Sequence, residues 1–261
     1  MIISHKYRFL FIGLPFSASS AISKELNLQY GGTPFLQKHS LYHEFLKKAS
    51  NKEKKYFVFA VLRNPMEMVV TIYEKMRKNS NGNFTNNKLF KENGGHITKL
   101  QREKFKFINN KKASFQEYFL KYYNTPYDNL ISLTKDHCDY IIRHENIEKE
   151  YILALESCGI KSPRPLPIAN KTSGKKQNLE EYYTEEIKQR AVYIFGPFMK
   201  KYGYDFPCSW GPVNISRTSI VIFKIVSIMK RINTYYFKKT PQRKSMRGTI
   251  YGDMQYKKKS S

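Results

Sequence analysis

Three serines stand in the stretch FIGLPFSASSAI (residues 11–22), where an apolar run gives way to a turn and then to a segment with helical spacing. Ser17, Ser19 and Ser20 would add hydroxyl donors to the backbone N–H groups of such a turn, beside the positive end of the helix, and this arrangement binds anions. It is not the triphosphate P-loop, because that motif needs Gly at Ala18 and Lys at Ser19. Taken alone, the stretch fits an anion-binding turn and a purely structural turn equally well.

A second pattern of the same kind is AVLRNPMEMVVTIYEK (residues 60–75), with Arg63 at the end of an apolar run and Thr71 two turns into the following helix. Pro65 suits the first turn of that helix, where a missing N–H costs nothing. Arg63 offers a fork of donors that matches a phosphate, and Thr71 offers a hydroxyl. Two such turns at the carboxyl ends of sheet strands predict a nucleotide-binding crevice.

The elements that must hold these turns alternate along the chain. Buried strands are predicted for the apolar runs at 7–13, 56–62 and 138–144, each followed by a helical pattern. We therefore expect an α/β, three-layer fold with a mainly parallel central sheet flanked by helices. The polar, Asn-rich residues 78–112 predict a long surface excursion with little core, and a helix over 179–204 is expected to break near Gly196 and Pro197.

Composition limits the function classes without naming one. The 261 residues suffice for one sizeable domain, which we assign to residues 1–210, followed by a basic helical and disordered tail at 211–261. A net charge of +25 favours anionic partners such as nucleotides, sulfated glycans, nucleic acid or membranes, although a solvated lysine-rich surface would produce the same excess. Three scattered cysteines and six scattered histidines indicate neither a disulfide framework nor a metal site.

The tail contains SIVIFKIVSIMKRINTYYFK (residues 219–238), which predicts an amphipathic helix. Its polar face would be formed by Lys224, Ser227, Arg231, Thr234 and Lys238. Its apolar runs are too short to span a bilayer. The helix could lie on an anionic membrane surface or pack on the domain and cover its own apolar face, and we favour the second arrangement.

The N-terminal residues 5–21 imitate a secretory signal, with basic residues followed by an apolar run and small residues. The apolar run is short and interrupted by Pro15, and the sequence continues as a helix, which favours a structural interpretation. Without a convincing signal or membrane span, we expect a cytoplasmic location, with peripheral membrane contact left open.

Both turns resemble a known family. GLPFSASSAI is similar to the 5′-phosphosulfate loop of sulfotransferases that use 3′-phosphoadenosine 5′-phosphosulfate (PAPS), and RNPMEMVVTIY is similar to their 3′-phosphate motif. In that motif an Arg is followed eight positions later by Ser and then by Tyr, here Arg63, Thr71 and Tyr73. YIIRHENIEKEY and PLPIANKTSGKKQNLEEYYTEE add weaker similarity, so the resemblance extends roughly over residues 7–207.

The resemblance implies a P-loop-like fold and transfer of a sulfuryl group from PAPS to a hydroxyl or amine of a carbohydrate or glycolipid-like acceptor, which could be polyanionic, without a metal. It also implies which residues bind PAPS. These are Ser17, Ala18, Ser19 and Ser20 for the 5′ side, Arg63 and Thr71 for the 3′-phosphate, and Lys175 as an assisting cation.

The chain departs from the family at Phe16, where members usually carry Lys or Arg to stabilise the leaving oxygen. Lys38 is our candidate for a substitute cation. For the general base we select His39, which follows the first helix where the chain should return to the crevice and whose side chain titrates near neutral pH. Glu44 and His43 are the next candidates.

Two other functions stay open on the sequence. Phe16 would also suit a protein that binds PAPS or its desulfated product without catalysis. The positive charge would suit a nucleic-acid-binding protein, but no helix-turn-helix, zinc or RNA-binding signature supports it, so no specific nucleic acid is expected as a partner.

Overall fold

The computed structural model describes residues 1–167, 175–176 and 178–237. The protein is α/β and divides into two compact units, each assembled from separate parts of the chain. Among the described residues, the first unit contains 1–63 and 129–167, and the second contains 64–128, 175–176 and 178–237. The helices, in chain order, are α1 (Ser19–Gln29), α2 (Tyr42–Leu46), α3 (Pro65–Arg77), α4 (Lys99–Asn110), α5 (Phe115–Tyr122), α6 (Ile147–Ser157), α7 (Glu185–Tyr202) and α8 (Arg217–Ile232).

The first unit is built on a five-stranded sheet with the order β3-β1-β2-β4-β5. Its strands are β1 (Ile2–Ser4), β2 (Phe9–Ile12), β3 (Gly32–Pro34), β4 (Phe57–Leu62) and β5 (Tyr140–Arg143). The three predicted strands are confirmed as β2, β4 and β5, and they are parallel. However, β1 pairs antiparallel with both β2 and β3. The sheet is therefore mixed, and the expectation of a mainly parallel sheet is not confirmed.

Alternate residues of these strands form the core of the first unit, because successive side chains of a strand point to opposite faces. Phe9, Phe11 and Phe59 are fully buried, and their rings contact one another at centroid distances of 5.2 to 5.7 Å. Helices α1 and α6 add Ile22, Leu26, Tyr151, Ala154 and Leu155 to this cluster. The strands that precede the turns after β2 and β4 are thus packed in a buried core.

The second unit is helical, and aromatic side chains fill its core. Phe119 stacks on Phe195 at a centroid distance of 5.6 Å, and Tyr183 meets both rings edge-on. The Tyr183 hydroxyl donates to the carbonyl oxygen of Met66 at the start of α3, at 3.1 Å. Edge-to-face and offset pairs of this kind add packing energy beyond the buried area.

Helix α3 begins as the sequence predicts. The Asn64 side chain accepts a hydrogen bond from the backbone N–H of Met66 at 2.9 Å, and Pro65 occupies the first helical position. Both features favour a helix start. The start of this helix is therefore fixed immediately after Arg63.

The Asn-rich residues 78–112 contain more structure than we expected. Helix α4 lies within them and begins with a capping box. The Thr98 hydroxyl accepts a hydrogen bond from the Gln101 amide, and the Gln101 side chain accepts one from the Thr98 amide. Ile108 is buried in the aromatic core of the second unit. The prediction that this segment contributes little core is wrong for its second half.

Helix α7 also differs from expectation, because it continues through Gly196 and Pro197 without a break. A Cβ at Gly196 would lie 2.9 Å from Cγ2 of Ile215, so the glycine allows a close approach of the chain rather than a kink. The helix ends at Gly203, which has a φ of 65°, with the Tyr204 amide bonded to the Met199 carbonyl oxygen. That is a left-handed helix cap.

The tail helix is present as α8 and is followed by a π-helical turn at Asn233–Phe237, whereas Lys238 lies outside the described residues. It packs on α7 within the second unit. The expected packing on the domain is therefore confirmed. The apolar face is covered only in part, because Phe223 is buried whereas Ile225 and Ile228 are exposed. Within the described ranges, no helix combines the length and apolar character needed to cross a bilayer.

Candidate anion-binding site

The turn between β2 and α1 has an unusual backbone. Phe16 and Ala18 have φ values of 59° and 54°, which is the left-handed region that side chains other than glycine rarely adopt. Ala18 is the N-cap of α1, and its methyl side chain makes no capping hydrogen bond. The amides of its first turn therefore point out of the helix without the usual Ser, Asp or Asn partner at the cap.

Two contacts within the first unit hold this turn. The buried Ser17 hydroxyl donates to the Leu14 carbonyl oxygen at 2.7 Å, and the Arg63 guanidinium donates from Nη1 to the Phe16 carbonyl oxygen at 3.0 Å. A left-handed conformation costs about 1–2 kcal/mol at a residue with a Cβ, and it persists only where the surroundings impose it. The Ser17 hydroxyl hydrogen is thus used by the turn itself.

Lys38 and His39 lie beside the same turn. Lys38 Nζ donates to the Ser20 hydroxyl oxygen at 2.6 Å, which brings a cation to the first turn of α1. His39 Nδ1 is 2.6 Å from the Gly13 carbonyl oxygen. A carbonyl can only accept, so Nδ1 carries the hydrogen and Nε2 is the basic nitrogen of the neutral ring. The spacing is tight, because a Cβ at Gly13 would lie 3.3 Å from the Lys38 carbonyl oxygen.

His144 also lies in this region, although it was not predicted from the sequence. It directly follows β5, as Arg63 directly follows β4, and these neighbouring strands are parallel with Leu62 paired to Arg143. Burial, and secondarily the charge of Arg63, lower the pKa of His144 to about 4. The imidazole is therefore neutral at pH 7. The equivalent positions after parallel strands were the signal that could have identified it.

The remaining predicted residues make other contacts, away from this turn or in the second unit. Glu44 caps α2 by accepting from the Leu41 amide at 2.7 Å, which is a structural use of that carboxylate. Thr71 and Lys175 lie in the second unit, where Thr71 is buried in α3 and Lys175 forms an ion pair with Glu67. Tyr73 donates to the Ala113 carbonyl oxygen at 2.9 Å inside the same unit. The structure thus gathers Ser17 to Ser20, Lys38, His39 and Arg63 in the first unit.

Among the described residues, no group of three or more His, Cys, Asp or Glu side chains is arranged to hold a metal ion. Comparison of the chain with protein-family models, with curated proteins and with solved structures gives no match.

Proposed function

We propose that the chain is a PAPS-dependent sulfotransferase with a three-layer, P-loop-like α/β architecture, which transfers a sulfuryl group to a hydroxyl or amine of a carbohydrate or glycolipid-like acceptor. One observation carries the proposal. Two cationic side chains, Arg63 and Lys38, bind the backbone and a hydroxyl of a single turn at the N-terminus of α1, whose N-cap residue is an alanine without a capping side chain. Such a combination favours a ligand with several negative charges.

In this proposal the 5′-phosphosulfate of the donor is bound by the hydroxyls of Ser19 and Ser20 and by the backbone amides of the turn, to which Ser17 and Ala18 also contribute. Arg63 binds the 3′-phosphate. The assignment of Thr71 to the same phosphate, and of Lys175 as an assisting cation, rests on the sequence resemblance alone. Arg suits this role because its planar fork makes two parallel hydrogen bonds to a phosphate.

The reaction is an in-line displacement at sulfur. The bond from sulfur to the phosphate oxygen of the donor breaks while a bond from sulfur to the acceptor oxygen or nitrogen forms, so negative charge develops on the leaving phosphate. Lys38 stabilises that charge in place of the Lys or Arg that the family carries at Phe16. His39 takes the acceptor proton on Nε2, because its Nδ1 hydrogen is held by the Gly13 carbonyl oxygen.

Phe16 also supports a second candidate, a protein that binds PAPS or 3′,5′-bisphosphoadenosine and has lost catalysis. Both candidates require the same nucleotide to bind, and they differ only in turnover. The nucleic-acid alternative differs from both, because it requires strongly salt-dependent binding of DNA or RNA that survives removal of Arg63.

The test is calorimetric titration of the folded chain with 3′,5′-bisphosphoadenosine. We expect binding that weakens about 10- to 100-fold in Arg63→Ala, which corresponds to the loss of a charge-assisted hydrogen bond. The matched control is Arg164→Ala, because the Arg164 side chain is exposed in the same unit and only distantly paired with Glu25. Absence of binding to the folded wild type would refute both the enzyme and the inactive nucleotide binder.

A further inference from the structure

Helix α8 presents an apolar surface to solvent that the proposed transferase activity does not use. At 100° per residue, its exposed apolar residues lie on one side of the helix. The strip consists of Val221, Ile225, Ile228, Met229 and Ile232, with exposures between 46% and 64%. The following turn continues it with the exposed rings of Tyr236 and Phe237. We call these seven residues the α8 strip.

The opposite side of the helix is held in place by polar contacts within the second unit. Lys230 Nζ lies 3.0 Å from Oδ2 of the fully buried Asp128 side chain, and the Ser227 hydroxyl donates to the same oxygen at 3.1 Å. Phe223 is buried beside them, with Lys201 Nζ 5.7 Å from its ring centroid.

Rotating α8 to bury the α8 strip would separate Asp128 from Lys230 and leave a buried carboxylate without its cation, which is strongly unfavourable. The outward direction of the apolar side chains is therefore imposed by the fold rather than left over from loose packing.

The charges around the α8 strip have one sign. Arg217, Lys224 and Arg231 are exposed and follow one edge of the strip, and α8 contains no Asp or Glu. In the sequence, residues 238–261 add eight Lys or Arg and one Asp. An apolar helix face bordered by basic residues is the composition of helices that lie in the headgroup region of anionic membranes.

We propose that α8 binds the surface of an anionic phospholipid bilayer, with the α8 strip among the upper acyl chains and the basic edge at the lipid phosphates. A second copy of this chain is a poorer occupant of the strip. A two-fold interface uses the same surface on both subunits, so it would bring the edges containing Arg217, Lys224 and Arg231 near one another with no acidic residue in either helix. The proposal does not depend on the sulfotransferase assignment.

The test is flotation of the full chain with vesicles of phosphatidylcholine alone and with about 30% phosphatidylserine added. We expect the wild type to float with the anionic vesicles only. Ile228→Glu should weaken this binding at least about tenfold, because a charged side chain would replace an apolar one that lies among the acyl chains when the helix is bound. Leu100→Glu is the matched control, since Leu100 is 53% exposed on α4 and Ile228 is 58% exposed on α8.

A second pair of variants tests the basic edge. The double variant Lys224→Glu, Arg231→Glu should abolish flotation. Lys54→Glu, which reverses the charge of an exposed lysine in the first unit, should have little effect. Circular dichroism and thermal unfolding establish that each variant is folded.

Three results would overturn the proposal. The first is a folded wild type that floats with neither vesicle. The second is Leu100→Glu losing binding as much as Ile228→Glu, since this would make the effect one of net charge. The third is sedimentation showing a dimer that Ile228→Glu dissociates while vesicles are not bound, which would assign the α8 strip to a second copy of the chain.

Discussion

The half-buried His144 beside Arg63 predicts a pH dependence of stability that can be calculated and tested. The pKa of His144 is about 4 in the folded protein against about 6.5 for an unperturbed histidine. The unfolded chain therefore binds this proton more readily than the folded chain. Stability from this group is complete above the unfolded pKa and is lost as the pH falls toward 4.

With these two pKa values, lowering the pH from 8 to 5 should cost about 2 kcal/mol of the free energy of unfolding through His144 alone. Other groups also titrate over this range, so the contribution of His144 has to be isolated by comparison with a variant. His144→Gln cannot titrate, and we expect its stability to fall by about 2 kcal/mol less than that of the wild type between these pH values.

The assay is urea unfolding at pH 8 and pH 5. The quantity compared between variants is the change in the free energy of unfolding from one pH to the other. His5→Gln is the control for the loss of a histidine, because the His5 side chain is largely exposed at 60%. If His144→Gln and the wild type lose the same stability between these pH values, the imidazole is not shielded from solvent beside Arg63.

Two further predictions concern the turn before α1. Ala18→Gly should raise the free energy of unfolding by about 1 kcal/mol, because glycine tolerates the left-handed N-cap, whereas the same change at Ala21 inside the helix should lower it by about 1 kcal/mol. Urea unfolding measures both, and destabilisation by Ala18→Gly would contradict the left-handed backbone. In sulfuryl-transfer assays, Lys38→Met should lower kcat about 100-fold or more, since charge on the leaving phosphate would lose its cation. Phe16→Lys should leave an active enzyme little changed, whereas a large gain in turnover would indicate that activity had decayed through Phe16 and that Lys38 does not replace the missing cation.

Several elements could be predicted from the sequence because their signals are local. The strands β2, β4 and β5 are continuous apolar runs, and the start of α3 is encoded by Asn64 and Pro65. The capping signature at Thr98 and Gln101 was equally local, and α4 could have been found from it.

Other features depend on contacts between distant residues. The strands β1 and β3 have three residues each, and only their pairing identifies them and makes the sheet mixed. The role of Gly196 is to leave room for Ile215, a contact that the sequence pattern does not show. The orientation of α8 follows from the pairing of Lys230 with Asp128, which are far apart in the chain.

In the candidate site, the residues could also be predicted from the sequence, whereas their contacts could not. Arg63 could be selected because it ends a predicted strand, and Lys38 and His39 because the chain had to return there. The atom that Arg63 contacts could not be predicted, since it is a carbonyl oxygen of the backbone. The neutral state of His144 was equally hidden, because it arises from burial and from a charge 81 residues away in the sequence.

Arg63 holds the turn through the backbone carbonyl oxygen of Phe16, so the conformation of the turn does not depend on which side chain is present at position 16. Every amino acid supplies the same carbonyl, so this position can change from a cation to an aromatic ring while the guanidinium keeps its anchor. Phenylalanine and lysine also meet the same backbone restriction at a φ of 59°. The side chain at position 16 can therefore be exchanged without rebuilding the turn, because neither the backbone conformation nor the bond to Arg63 depends on it.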